Sequence, residues 1–170
     1  MASELLVETF EETQSALRAS NIRFALKAKY FSDIWFENDK KSKIDRKFIS
    51  TNLEEMQKIH DTFVNHFWHK LQPIRRYITT GLYDEANQDI TEIEKEGFSC
   101  VDTTEKQLLA KAQKIKDYLI EKKIWDLVKL ENNFTSEISM IPFNLWSFQI
   151  FPNICYMTYF LRKEIKKKRR

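Results

Sequence analysis

Residues 3–36 read SELLVETFEETQSALRASNIRFALKAKYFSDIWF, and this stretch decides the fold. Phe10, Leu17, Phe24 and Phe31 recur at seven-residue spacing, with Leu6, Ala28 and Trp35 one turn away on the same face. Apolar side chains at that period form a continuous stripe only on an α-helix. The stripe predicts one helix over about ten turns, with Thr13, Ser20 and Lys27 interrupting the second position of a coiled-coil seam. Two readings follow. The helix packs on its own chain as part of a bundle, or it pairs with a partner chain.

The rest of the 170-residue chain agrees with an all-α fold. There are only two glycines, Gly81 and Gly97, and three prolines, Pro73, Pro142 and Pro152. A sheet protein needs many tight turns, and those turns need residues that tolerate positive φ. Glycine scarcity also excludes the Gly-rich phosphate loops of nucleotide-binding folds. Thirteen Phe and four Trp supply bulk for a core or an interface. The expected architecture is a bundle of long helices with an αα-hairpin and an irregular, aromatic-rich C-terminal segment.

Outward from the first helix, residues 37–43 (ENDKKSK) read as a loop. Thr51 with Glu54 offers a capping box for a second helix, whose stripe is Leu53, Met56, Phe63, Phe67 and Leu71. Pro73 is expected to stop or kink it. Ile74, Tyr77 and Ile78 precede Gly81, and Ala86, Ile90 and Ile93 follow it, which predicts a helix–turn–helix unit ending at Gly97. Cys100 then falls in a loop, GFSCVD, and Asp102 with Glu105 caps a third long helix carrying Leu108, Ala112, Ile115 and Leu119. That helix is expected to continue through Ile124, Trp125, Leu127 and Leu130 to Asn132.

The unit around Gly81, Tyr83 and Ala86 resembles one hairpin of the tetratricopeptide repeat and related helical-repeat families. The resemblance covers about twenty residues and implies a close-packed αα-hairpin. A solenoid needs several stacked units, and no second copy occurs in the chain.

From position 138 to 161 there are twenty-four residues without a formal charge. The segment includes Phe143, Trp146, Phe148 and Phe151, and is followed at once by RKEIKKKRR. Its length suffices for a membrane span, but Asn144, Gln149, Asn153 and the two prolines oppose one. A buried or partner-binding segment is the preferred reading, with membrane contact as the alternative. The domain expectation is one helical domain over 1–161 and a basic tail over 162–170. The tail carries a net +6 against +3 for the whole chain, leaving −3 for the body. Lys166, Lys167, Lys168, Arg169 and Arg170 would serve as an import signal, a nucleic-acid arm or solvated charge, or, were the preceding segment to span a membrane, as a dilysine retrieval signal through Lys167 and Lys168. No aromatic-interleaved basic face is expected with them, which weakens the nucleic-acid reading.

Candidate chemistry is sparse. His60, His66 and His69 lie on one helix, but His60 points well round from His66, so the three cannot share a metal. They read as surface or interface histidines. There is no HExxH, no GxSxG elbow and no CxxC. Acidic neighbours raise a thiol pKa, so Cys100 does not read as a nucleophile. The expectation is therefore no catalytic residue, no cofactor, no metal and no small-molecule substrate.

What remains is a non-catalytic interaction protein, an adaptor, scaffold or assembly subunit. The candidate partner-binding residues are Phe10, Leu17, Phe24, Phe31, Trp35, Trp146, Phe148 and Phe151. Protein partners or self-association are expected, with membrane association or a nucleic-acid accessory role as alternatives. Without a signal-like N-terminus, the expected location is intracellular, cytoplasmic or nuclear.

Overall fold

The computed structural model describes residues 4–125 and 150–169, the side chain of Phe98 excepted. These residues form four helices: α1 (Glu4–Asn38), α2 (Arg46–Thr80), α3 (Tyr83–Glu121) and α4 (Ile150–Arg169). No strand occurs among the described residues, as the glycine shortage predicts. α2 packs against α1 and α3, and α4 packs against α3, α1 and α2. The core runs along the middle, built from Phe10, Phe24, Trp35, Met56, Phe67 and Leu71 with their neighbours on α3 and α4.

The stripe that predicts α1 is buried along its whole length, from Leu6 to Trp35. Thr13 and Ser20, which interrupt the seam, are buried too, and find partners there. The Thr13 hydroxyl donates to Met157 Sδ on α4 at 3.5 Å, and Ser20 Oγ lies 3.5 Å from His60 Nε2 on α2.

α2 begins earlier than the capping box at Thr51 suggests. Asp45 is the N-cap, its carboxylate accepting the N–H groups of Lys47 and Phe48 at 3.0 and 3.3 Å. Those bonds satisfy two of the donors a helix start leaves open. Asp39 orders the preceding turn by accepting from the Lys43 and Ile44 amides, both at 2.7 Å. Pro73 does not stop α2, which continues to Thr80. A proline in a helix interior costs about 3 kcal/mol. Full burial of Leu71, Ile74 and Ile78 around it holds the helix together.

Gly81 closes α2 as expected. Its φ of +82° is left-handed, its N–H reaches the Ile78 carbonyl, and Leu82 N–H reaches that of Tyr77 at 2.8 Å. That pair of bonds is a Schellman turn, and it needs a residue without a Cβ penalty. α3 follows at once, with Asp84 and Glu85 in its first turn, where the helix dipole favours acids.

Gly97 is not a helix end. It lies inside the 39-residue α3, and so does Cys100, which sequence reading places in a loop. A methyl at Gly97 would lie 3.2 Å from Cε2 of Phe151 on α4. The glycine therefore gives a close helix crossing rather than a turn. α3 ends at Glu121, short of the expected run to Asn132, in a second Schellman turn with Lys123 at a φ of 62°.

The residue 138–161 segment is described only from Ile150, and that half is regular helix rather than irregular. α4 is helical through Pro152, the third of its described residues. The boundary placed at residue 161 does not mark a structural division. α4 runs across it, burying Leu161, Glu164 and Ile165.

Candidate functional site

The helical stripe of α1 lies inside the bundle. Phe10, Leu17, Phe24, Phe31 and Trp35 are all buried among the chain's own side chains, and so is Phe151 on α4. Trp146 and Phe148 lie outside the described residues. Helical geometry puts a different set of α1 residues on the outside. Ile22 and Leu26 are 61% exposed and Tyr30 is 53% exposed, one residue per turn on a single line. Glu8, Glu11 and Glu12 are exposed toward the N-terminal end of this face, and Lys29 is exposed beside Tyr30. The same four-residue spacing is legible in the sequence, but the larger aromatic stripe on the opposite face overshadows it.

A second feature is a surface cleft of about 520 Å³ between α2 and α3, lined by Ile59, Phe63, His66, Cys100 and Thr103 among others. His66 and Cys100 meet there because α2 and α3 form a hairpin about Gly81. His66 on α2 and Glu96 on α3 are each fifteen residues from that turn. His66 Nε2 lies 3.3 Å from Glu96 Oε2, and Lys70 Nζ donates to the other carboxylate oxygen at 2.7 Å. The Lys70 hydrogen bond is the main cause holding the Glu96 carboxyl below its ordinary range. Burial, with the Glu96 charge adding to it, pushes the Cys100 thiol up. The ligand atoms of His66, Glu96 and Cys100 all lie within 4.8 Å of one another. Set beside the expectation that the three histidines do not share one point, His60 Nε2 lies against Ser20 on α1 while His66 faces Glu96 on α3. What that expectation misses is that one of the three meets an acid and a thiol from the neighbouring helix.

The histidines differ sharply in surroundings. His66 and His69 are exposed, whereas His60 is fully buried, which corrects its reading as a surface group. Its ring packs on Phe24 with centroids 4.6 Å apart, and Nδ1 lies 3.3 Å from Asp61 Oδ1. Burial depresses its pKa from 6.5, against the opposing pull of Asp61.

The basic run at the C-terminus is helical through Arg169; Arg170 lies outside the described residues. Two of its cations pair with α3: Arg162 bonds Glu94, Asn87 and Thr91, and the exposed Arg169 pairs with Asp84. Lys163, Lys166 and Lys167 are exposed on the outer face, in line with Tyr156 and Tyr159, which are 59% and 58% exposed. Lys163 Nζ lies 4.8 Å from the Tyr159 ring centroid. An aromatic-interleaved basic face does exist, contrary to the sequence expectation. It forms because the helix continues past Leu161 and keeps the tyrosines and lysines in register.

No helix among the described residues is long and apolar enough to cross a membrane. Comparison with known proteins gives no match to a family model, a curated protein or a solved structure.

Proposed function

We propose that this chain is a non-catalytic helical interaction protein, an adaptor or subunit of a larger assembly, and that it meets a protein partner through the outer face of α1. The exposed line of Ile22, Leu26 and Tyr30 carries the reading. Single apolar side chains on a surface are ordinary, but three stacked in successive turns form a contiguous patch of the kind that binds. An apolar stripe at this spacing suits a partner helix laid along α1. Exposed acids at both ends of the face, Glu8, Glu11 and Glu12 before the apolar line and Asp33 and Glu37 after it, with Arg23 and Lys29 beside it, would give a partner a charged rim to match.

The test is affinity purification of the tagged full chain with mass spectrometry, beside an Ile22→Glu/Leu26→Glu variant whose melting curve is checked first. The reading expects proteins retained by the wild type and lost from an equally stable variant. Identical retention by both would remove α1 as the interface.

A second reading rests on the outer face of α4. Tyr156 and Tyr159 beside Lys163, Lys166 and Lys167 combine stacking surfaces with phosphate-binding charge, which favours a nucleic-acid accessory role. Fluorescence anisotropy with a single-stranded oligonucleotide tests it. Binding that weakens with salt and is lost in Tyr159→Ala/Lys163→Ala supports this role; binding indifferent to both changes removes it. Association with anionic vesicles instead would favour the membrane alternative.

A further inference from the structure

We propose that His66, Glu96 and Cys100 form a binding site for a divalent transition metal of the zinc type, a property beyond the interaction role above and independent of it. The donor set is one imidazole, one carboxylate and one thiol. Sulfur and nitrogen donors together select zinc and its neighbours over magnesium or calcium, which take oxygen.

The spacing fits. Zinc holds nitrogen and oxygen ligands at about 2.0–2.2 Å, so a tetrahedral site separates them by roughly 3.3–3.4 Å. His66 Nε2 and Glu96 Oε2 are 3.3 Å apart. A zinc–thiolate bond of about 2.3 Å places the sulfur roughly 3.6 Å from the other two donors. One donor atom from each of the three residues lies within 4.8 Å of the others, so a side-chain adjustment at Cys100 brings Sγ into place. Glu96 and Cys100 are four residues apart on α3 and share a face, while His66 comes from α2. The helices that carry them are packed through Phe63 and Phe67 on α2 and Ile93 and Val101 on α3, all buried.

Lys70 supports the arrangement. Its ammonium holds Glu96 Oε1, which leaves Oε2 for the metal and fixes the carboxylate plane. On binding, the Cys100 Sγ–H bond breaks, the proton passes to solvent, and an Sγ–metal bond forms with no change of oxidation state. Two ligand anions then balance the dication. Three protein ligands leave a fourth position, and the cleft lined by Cys100 and His66 gives water or another donor access to it.

Cobalt(II) titration of the reduced full chain tests the proposal, with zinc(II) affinity measured by competition against a chromophoric chelator. The expected result is a near-ultraviolet thiolate-to-cobalt band with visible bands of tetrahedral intensity, both abolished by one equivalent of zinc. Cys100→Ser should remove the thiolate band, and His66→Ala and Glu96→Gln should each weaken zinc binding by roughly tenfold or more. His69→Ala and Cys155→Ser should behave as wild type. Circular dichroism on each variant separates loss of a ligand from loss of fold. A cobalt complex without a thiolate band, or zinc affinity unchanged by Cys100→Ser and His66→Ala, would overturn the assignment.

Discussion

The backbone of Gly97 on α3 passes directly beneath the ring of Phe151 on α4, so that a single added methyl would stand 3.2 Å from Phe151 Cε2. This contact lets the first turn of α4 seat closely on the middle of α3. It also opposes two energies at one position. Alanine in place of a mid-helix glycine gains about 1 kcal/mol of helix propensity, whereas here its methyl must displace a packed ring. Urea denaturation should therefore show Gly97→Ala gaining less than that amount or losing stability. In a Phe151→Leu background the same change should recover most of the gain, a coupling of about 0.5 kcal/mol or more. Equal effects in both backgrounds would mean that the two residues do not touch.

The inner and outer faces of α1 predict opposite mutational behaviour. Phe24 is fully buried against His60, so Phe24→Ala should cost about 3–5 kcal/mol. Ile22, two residues away and 61% exposed, should tolerate Ile22→Ser within about 0.5 kcal/mol. Chemical denaturation of the two variants checks both values; a small loss at Phe24 would contradict the bundle core.

His60 makes stability depend on pH. Burial lowers its folded-state pKa below the ordinary 6.5. Between those two values the unfolded chain binds a proton that the folded chain excludes. The stability contributed by a neutral His60 is thus complete above pH 6.5 and is lost as the pH falls below it. Melting temperatures of wild type and His60→Gln, compared from pH 7.5 down to 5.5, should show the wild-type advantage shrinking with acidity. A constant difference would show that His60 stays solvated or charged in the fold.

Lys123 ends α3 with a φ of 62°, a left-handed conformation that costs a side-chain-bearing residue about 1–2 kcal/mol. Lys123→Gly should raise the unfolding free energy by about 1 kcal/mol, measured by urea titration. Destabilisation instead would mean that the lysine side chain makes contacts worth more than the strain.

Much of this bundle is legible in the sequence because helix periodicity and burial are the same physical fact. The Phe10–Trp35 stripe, the hairpin at Gly81 and the row from Leu108 to Leu119 all appear where their spacing puts them. Element ends are less legible. Asp45 caps α2 although Thr51 and Glu54 offer the stronger local pattern, and tertiary burial carries α2 through Pro73. Gly97 looks like a helix terminus because its reason for being small is a ring more than fifty residues away. The His66, Glu96 and Cys100 cluster is hidden for the same cause. His66 and Glu96 are thirty residues apart, and only the register of two long helices about Gly81 brings them together. Reading Cys100 as a loop residue removes even the one local clue, its four-residue spacing from Glu96.

Contact between the outer face of α1 and a protein partner is open to direct measurement. Site-specific photo-crosslinking tests it most directly. A benzophenone side chain placed at Ile22 or Leu26 of the full chain, and at the exposed Gln113 on α3 as a control, is irradiated in cells that express the protein. One discrete higher-mass adduct is expected from positions 22 and 26, and none from position 113. Absence of an adduct from either α1 position, or the same adduct from all three, would contradict it.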